Sequence, residues 1–251
     1  MYLCLEIRTL LVNPYTSEGS KKQQVIRMFD NISGTYDFLN SLLSLGFDRY
    51  WRKKTLASIS FNPQDELKIL DIASGTGALA IQAAKAFNHA NVIATDVSEK
   101  MLEIGRQKVL KHQLQDRILC QFADAEQLPF PENKFDVISA AFGVRNFENL
   151  NKGITEMHRV IKPGGQIVIL EFSRPRVFPI KQLFQIYFKF ILPLIGRLLS
   201  KDERAYNYLF ESVQQFPDFE RFTAILEASG FKNCSYKPLT FGICSIYIGY
   251  K

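Results

Sequence analysis

Cysteine and histidine are scarce in this 251-residue chain, and the way they are spaced removes two classes of site. The four cysteines, Cys4, Cys120, Cys234 and Cys244, form no CxxC pair, and the three histidines, His89, His112 and His158, have no paired ligand spacing. Neither a zinc site nor a disulfide framework is indicated, and no metal is expected. Three of the cysteines fall in apolar stretches that read as strands, as buried thiols in a reducing cytosol would. Runs of five or more like charges are also missing, as are internal repeats and low-complexity stretches. The net charge of +6 would suit an anionic partner, either nucleic acid or a membrane face. Because Lys and Arg are scattered, an ordinary basic surface explains the charge as well, and no nucleic-acid partner is expected. The start, Met1 to Val12, is apolar but carries Glu6 and Arg8, which argues against a signal peptide and for a cytoplasmic protein.

With 47% apolar and 22% charged residues, the composition is that of a globular protein. Its length fits one large domain with at most a small appendage. Residues 1–20 read as a lead that can be disordered, 21–60 as a helical cap and 61–251 as the main domain, with an amphipathic insertion near 177–215. In the cap, Val25, Met28, Phe29 and Ile32 fall at helical spacing, Gly34 interrupts, and Leu39, Leu42, Leu43 and Leu45 resume the pattern until Gly46. Asp48 then stands where it would cap a third helix carrying Trp51, Leu56 and Ile59.

From Lys68 short apolar runs alternate with helical stretches, the signature of a parallel sheet wound with helices. Strands are predicted at Lys68–Ala73, Asn91–Asp96, Arg117–Phe122, Phe135–Ala141 and Gln166–Phe172. Helices are predicted near Gly77–Phe87, Glu99–Lys111, Leu150–Ile161 and Phe219–Ser229. Asn233–Leu239 and Ile243–Tyr250 flank Thr240-Phe241-Gly242 as a hairpin would. Five parallel strands closed by an antiparallel pair predict an α/β, Rossmann-like class I methyltransferase sheet of seven strands.

The strand ending at Asp71 runs into Ser74-Gly75-Thr76-Gly77 and directly into a helix, a turn where glycine lets the backbone approach a ligand. Gly75-Thr76-Gly77-Ala78-Leu79-Ala80 would also pass as a dinucleotide fingerprint. Two features favour S-adenosyl-L-methionine. Asp71, just ahead of the turn, suits a cationic amino-acid ligand rather than a pyrophosphate, through indirect contact with its ammonium. The chain also lacks a second mononucleotide-binding half. Asp96 ends the second strand, about 20 residues after the turn, where an acidic side chain holds ribose hydroxyls. Ser98 can cap the next helix alone, which leaves Asp96 for that role. Asp124, followed by Ala125, stands where an adenine amino group can be accepted, although a turn-capping role fits it too. Gly143 and Asn146 follow the fourth strand, whose carboxyl end opens to ligand.

Three stretches carry a family resemblance from about Lys21 to the C-terminus. They are Tyr36-Asp37-Phe38-Leu39-Asn40 with Leu43-Ser44, Gly46 and Trp51; Phe142-Gly143-Val144-Arg145-Asn146; and Arg159 through Ser173, containing Lys162-Pro163-Gly164-Gly165 and Glu171. The chain resembles the ubiquinone/menaquinone biosynthesis C-methyltransferases, UbiE/MenG. Lys-Pro-Gly-Gly alone is a generic methyltransferase turn, whereas the extended form is far more specific. The resemblance implies that Thr76, Asp96, Asp124 and Ala125 contact S-adenosyl-L-methionine. Leu39 replaces a usual Met, Asp48 stands where many members of the family have His, and Ala141 where some have a cofactor-contacting Ser.

The implied reaction is methylation of a ring carbon of a demethylated isoprenoid quinol, demethylmenaquinol in preference to a ubiquinone precursor. The site must favour a phenolate and align its ring carbon with the sulfonium methyl. Arg145 is the candidate to stabilise the phenolate, with an ion pair to a nearby carboxylate as its alternative role. Tyr36, Asp37 and Asn40 are candidates to orient the substrate or supply a base, and Asn146 to bind it; Asp37 alternatively caps a helix. Ile180–Leu192 gathers Lys181, Gln182, Gln185 and Lys189 on one face, with Leu183, Phe184, Tyr187, Phe188, Phe190 and Ile191 over the rest, before Pro193. Lys181, Lys189 and Arg197 argue against a membrane span, leaving a lid over a greasy substrate, an interfacial helix at the inner membrane face, or a helix packed on the sheet. A homo-oligomer is compatible with the sequence. The cofactor half alone also fits a methyltransferase of another small lipophilic or phenolic substrate, or a non-catalytic S-adenosylmethionine-binding protein.

Overall fold

The computed structural model describes residues 12–15, 19–191 and 203–251. Five strands, β1 (Lys68–Ile72), β2 (Asn91–Asp96), β3 (Ile118–Phe122), β4 (Phe135–Ala141) and β5 (Ile161–Phe172), pair in parallel. The hairpin β6 (Lys232–Leu239) and β7 (Cys244–Tyr250) adds an antiparallel edge, giving the order β3-β2-β1-β4-β5-β7-β6. Side chains alternate across each strand. Ile69, Val92, Val137 and Val168 enter the apolar layer on one face, and Leu70, Ile72, Ile138 and Ile167 the layer on the other. Both faces are buried, which is why the strands read as continuous apolar runs.

The connecting helices are α4 (Ala78–Ala86), α5 (Glu99–Lys111) and α6 (Leu150–Val160). Ser98 caps α5 by accepting from Met101 N–H, and Asn149 caps α6 by accepting from Lys152 N–H. The Lys-Pro-Gly-Gly turn expected between helix and strand is absorbed into β5, which begins at Ile161.

The N-terminal helices are α1 (Lys21–Ile32), α2 (Tyr36–Leu43) and α3 (Phe47–Leu56). A capping box between Ser20 and Gln23 starts α1. Asp48 does not cap α3, contrary to expectation. The N-cap is Gly46 at φ +78, and Asp48 lies inside the first turn, accepting from Ser44 Oγ at 3.1 Å and ion-paired with Arg52. Asp37 likewise is no cap but a residue of the first turn of α2. Trp51, Leu56 and Ile59 join the sheet's apolar layer, and Trp51 Nε1 donates to Thr240 Oγ1 at 2.7 Å.

Among the described residues the remaining α-helices are α7 (Ile180–Ile186), continued by a π-helical turn at Tyr187–Ile191, then α8 (Glu203–Gln215) and α9 (Glu220–Ala228). A third apolar cluster joins Val25 and Met28 of α1, Leu39 of α2, Phe184 and Phe188, and Tyr208 of α8. Phe184 and Phe188, one helical turn apart, are buried, and half-buried Tyr187 packs beside them and donates to Leu43 O at 2.7 Å, while Leu183, Ile186, Phe190 and Ile191 are exposed. The apolar side chains expected to wrap the helix thus face two ways. Leu192, Pro193, Arg197, Cys4 and residues 1–11 lie outside the described residues.

Candidate functional site

The order 3-2-1-4-5 reverses between β1 and β4, and a crevice opens where their carboxyl ends part. Both strands leave the sheet through left-handed residues, Ala73 at φ 51 and Phe142 at φ 58. Non-glycine residues adopt this region rarely, and such strain gathers at ligand sites. Gly75 and Gly77, at φ +55 and +75, complete the turn into α4. Gly143 is required by space rather than angle, because a Cβ there would sit 2.5 Å from that of Ala73.

Asp71 is fully buried and accepts from Ser139 Oγ at 2.7 Å, while its Oδ2 has no hydrogen bond. Burial pushes its carboxyl up to about 7, against the pull of the Ser139 hydroxyl. Asp96 holds the turn in shape: its two oxygens accept from Gly75 N–H at 2.8 Å and Ser98 N–H at 2.9 Å. Burial raises its carboxyl too, with these two N–H groups opposing. Ser98 takes the helix cap as expected, but Asp96 is not left free by it. Asp124 accepts from Glu126 N–H at 2.9 Å and is ion-paired with Lys22 of α1 at 2.6 Å, so its turn-capping role is realised.

Thr76 donates to Asp37 at 2.7 Å and accepts from Lys108 at 2.7 Å, and Lys108 is also ion-paired with Asp37. This trio ties α2 and α5 to the glycine turn. Around the turn, Ala73, Gly75, Asp96, Asp124, Ala125 and Asn146 line a narrow cleft of about 70 Å³, roofed by Lys22 and Val25 of α1. On the Thr76 side it widens into a groove of about 1120 Å³ reaching Asp71, Ser74 and Lys108. Asp71 Oδ2, Ser74 Oγ and Asn146 Oδ1 are buried without partners, polar atoms that a polar ligand can satisfy. The cradle and these acceptors fit an amino-acid-bearing nucleoside such as S-adenosylmethionine.

A second cavity, about 370 Å³, lies between the sheet and the helices α1, α2, α3, α7 and α8, and the Asp48–Arg52 ion pair of α3 also lines it. Its walls are apolar and rich in aromatics: Phe142 and Phe172 have ring centroids 4.6 Å apart, and Phe184 and Phe188 4.2 Å. Tyr36 and Phe142 line both this cavity and the cleft at the glycine turn. Into it reaches Arg145, from the turn Val144–Asn146. Its Nη1 is ion-paired with Glu171 Oε1 at 2.9 Å and donates to Phe142 O, and its backbone N–H donates to Glu171 Oε2 at 3.3 Å. The side chains are 8% and 0% exposed. Burial raises the Glu171 carboxyl while the Arg145 charge opposes this. The ion pair named as the alternative role of Arg145 is therefore present. Its Nε and Nη2 make no hydrogen bond among the described residues.

Arg145, Tyr36 and Asn40 are thus brought together in the apolar cavity. Asp37 and Asn146 are not: Asp37 lines the groove and grips Thr76, and Asn146 lines the narrow cleft at the glycine turn. Lys22, Lys108 and Tyr208 were not signalled by the sequence. Glu171 lies within the Arg159–Ser173 stretch, which by itself gives it no role. Among the described residues no cluster suited to a metal occurs, and no helix is long and apolar enough to cross a membrane.

Comparison with known proteins follows the same lines. Residues 17–251 match the model of the ubiE/COQ5 methyltransferase family. A Bacteroides fragilis protein named demethylmenaquinone methyltransferase is 46% identical over 241 residues, spanning 96% of this chain and 97% of that relative. A Geotalea daltonii protein named ubiquinone/menaquinone biosynthesis C-methyltransferase UbiE is 44% identical, over 94% of this chain and 98% of its own. Among solved structures, a Thermotoga maritima S-adenosylmethionine-dependent methyltransferase superposes with a TM-score of 0.63 at 16% identity, over 90% of this chain and 98% of that one. At that identity the likeness is one of fold, and it agrees with the Rossmann-like methyltransferase sheet read from the sequence.

Proposed function

The chain belongs to the ubiE/COQ5 methyltransferase family and is an S-adenosylmethionine-dependent C-methyltransferase, and on that footing we propose that it methylates a ring carbon of demethylmenaquinol. One observation carries the substrate assignment: an aromatic-walled cavity meets the cofactor cleft at Tyr36 and Phe142, with a buried arginine reaching into it. When bound, S-adenosylmethionine supplies an electrophilic methyl group on its sulfonium.

The chain's own residues divide the remaining work. Asp71, Gly75, Thr76, Gly77, Asp96, Asp124 and Ala125 hold the cofactor, with Asp37 and Lys108 bracing Thr76. Phe142 and Phe172 stack on the substrate ring and exclude water, which strengthens every charge interaction in the cavity. Arg145 turns its unbonded nitrogens toward a ring oxygen and favours its phenolate, which makes the neighbouring ring carbon nucleophilic. Glu171 fixes the guanidinium in place. Tyr36 and Asn40 orient the ring. The helices α1, α2, α7 and α8 close over it as a cap.

A polyprenyl tail must enter from a membrane. The exposed Phe38, Leu42 and Leu45 on one side of the cavity and Leu183, Ile186 and Phe190 on the other suit shallow insertion at an anionic membrane surface. Methyl transfer to reduced demethylmenaquinol, read by S-adenosylhomocysteine release and the mass of the product, tests the assignment. Methylation of other phenols with no turnover of the quinol would refute it, and cofactor binding with no turnover of either would indicate a non-catalytic protein.

A further inference from the structure

Tyr208 lies in α8 and is 2% exposed within the apolar cluster that closes the cavity. Its ring fills space among apolar neighbours, a task phenylalanine would do as well. The hydroxyl is what needs explaining, since Tyr208 Oη is buried without a hydrogen-bond partner. Burying an unpaired hydroxyl weakens a fold, and buried polar atoms without partners are rare enough that each calls for a reason. Tyr208 lines the same cavity as Arg145, and α8 packs against the turn that carries Arg145.

Resting on the quinol assignment above, we propose that Tyr208 Oη binds a ring oxygen of the substrate, beside Arg145, so that the quinol completes a hydrogen bond the free protein lacks. Burial raises the phenol well above its ordinary range, with the Arg145 charge opposing and that of Glu171 assisting. Tyr208 is therefore a neutral donor at any working pH. It adds a hydrogen bond to the substrate oxygen without competing with that oxygen for the charge of Arg145.

Tyr208→Phe is the test, with reduced short-chain demethylmenaquinol as substrate. A donor to an oxygen gaining negative charge is worth roughly a tenfold to hundredfold factor, so kcat/KM should fall by that much. The melting temperature should stay level or rise, because an unpaired buried hydroxyl has been removed, and the affinity for S-adenosylhomocysteine should not change. A variant within twofold of wild-type kcat/KM would overturn the proposal. So would a loss of activity that tracks equal losses in melting temperature and S-adenosylhomocysteine affinity, since that marks a packing role. A wild-type protein that fails to turn over the quinol would overturn the substrate assignment itself, and this inference with it.

Discussion

Arg145→Ala should damage the fold before it reports on catalysis. In the native protein Glu171 is wholly buried, and the Arg145 guanidinium at 2.9 Å is its charge partner. Alanine leaves the carboxylate with only the backbone N–H groups of Arg145 and Phe172. Breaking a buried pair from one side costs about 3–5 kcal/mol, because an uncompensated charge is stranded. In a chain of this size each kcal/mol moves the melting temperature by roughly 2–4 °C. The expected loss is therefore roughly 6–20 °C. Arg145→Met combined with Glu171→Gln removes both charges at similar volume and should recover most of that loss. It should not recover methyl transfer, since the cation assigned to the ring oxygen is gone and Arg52, which also lines the cavity, is held by Asp48. Thermal unfolding followed by circular dichroism, with turnover measured well below each melting temperature, separates the two effects. An alanine variant melting within about 2 °C of wild type would refute the energetic reasoning, and a double variant turning over like wild type would refute the role of the cation.

Asp71, pushed up to about 7 from an ordinary 3.8, keeps a proton in the folded state that the unfolded chain has lost. The ligand-free protein should accordingly lose stability as pH rises from about 4 to 7, by about 4 kcal/mol in all. Urea unfolding across that range should give a flatter profile for Asp71→Asn, and parallel profiles would refute this. Asp37→Asn should weaken S-adenosylmethionine binding by about threefold to tenfold, since it loosens Thr76 and Lys108; an unchanged dissociation constant by calorimetry would remove Asp37 from the cofactor site. Gly143→Ala brings its new Cβ within 2.5 Å of the Ala73 Cβ and should cost about 1–3 kcal/mol, measurable as a lower urea midpoint. Leu183→Glu with Phe190→Glu changes two exposed side chains and should abolish co-sedimentation with anionic phosphatidylglycerol vesicles in a protein that still melts normally. Undiminished co-sedimentation would refute membrane docking through this face.

The parts legible in the sequence are those set by local spacing. Strand runs, the glycine turn, Asp96 at its fixed distance and the closing hairpin are each written within some thirty residues, as a wound sheet requires. An acidic residue after a helical run resembles a cap, but Gly46 in the left-handed region opens α3 and Asp48 lies inside its first turn. The neighbourhood of Asp37 suggests a substrate role, yet of two adjacent residues of α2 Tyr36 reaches the apolar cavity as well as the groove, whereas Asp37 lines the groove alone and grips the glycine turn. Glu171 was hidden by the apolar run of β5, and its partner stands 26 residues earlier. What joins them is the pairing of β4 with β5, which sets Ala141 beside Leu170 and so brings the end of one strand, where the chain turns toward Arg145, against the end of the other. Tyr208 had no signal of its own, since an aromatic residue at helical spacing reads as core and nothing local says that its hydroxyl will find no partner. The cleft at the glycine turn is therefore largely a property of short stretches. The apolar cavity is assembled from α1, α2, α3, the turns after β4 and β5, and α7 and α8, and is defined only once the sheet has brought those segments together.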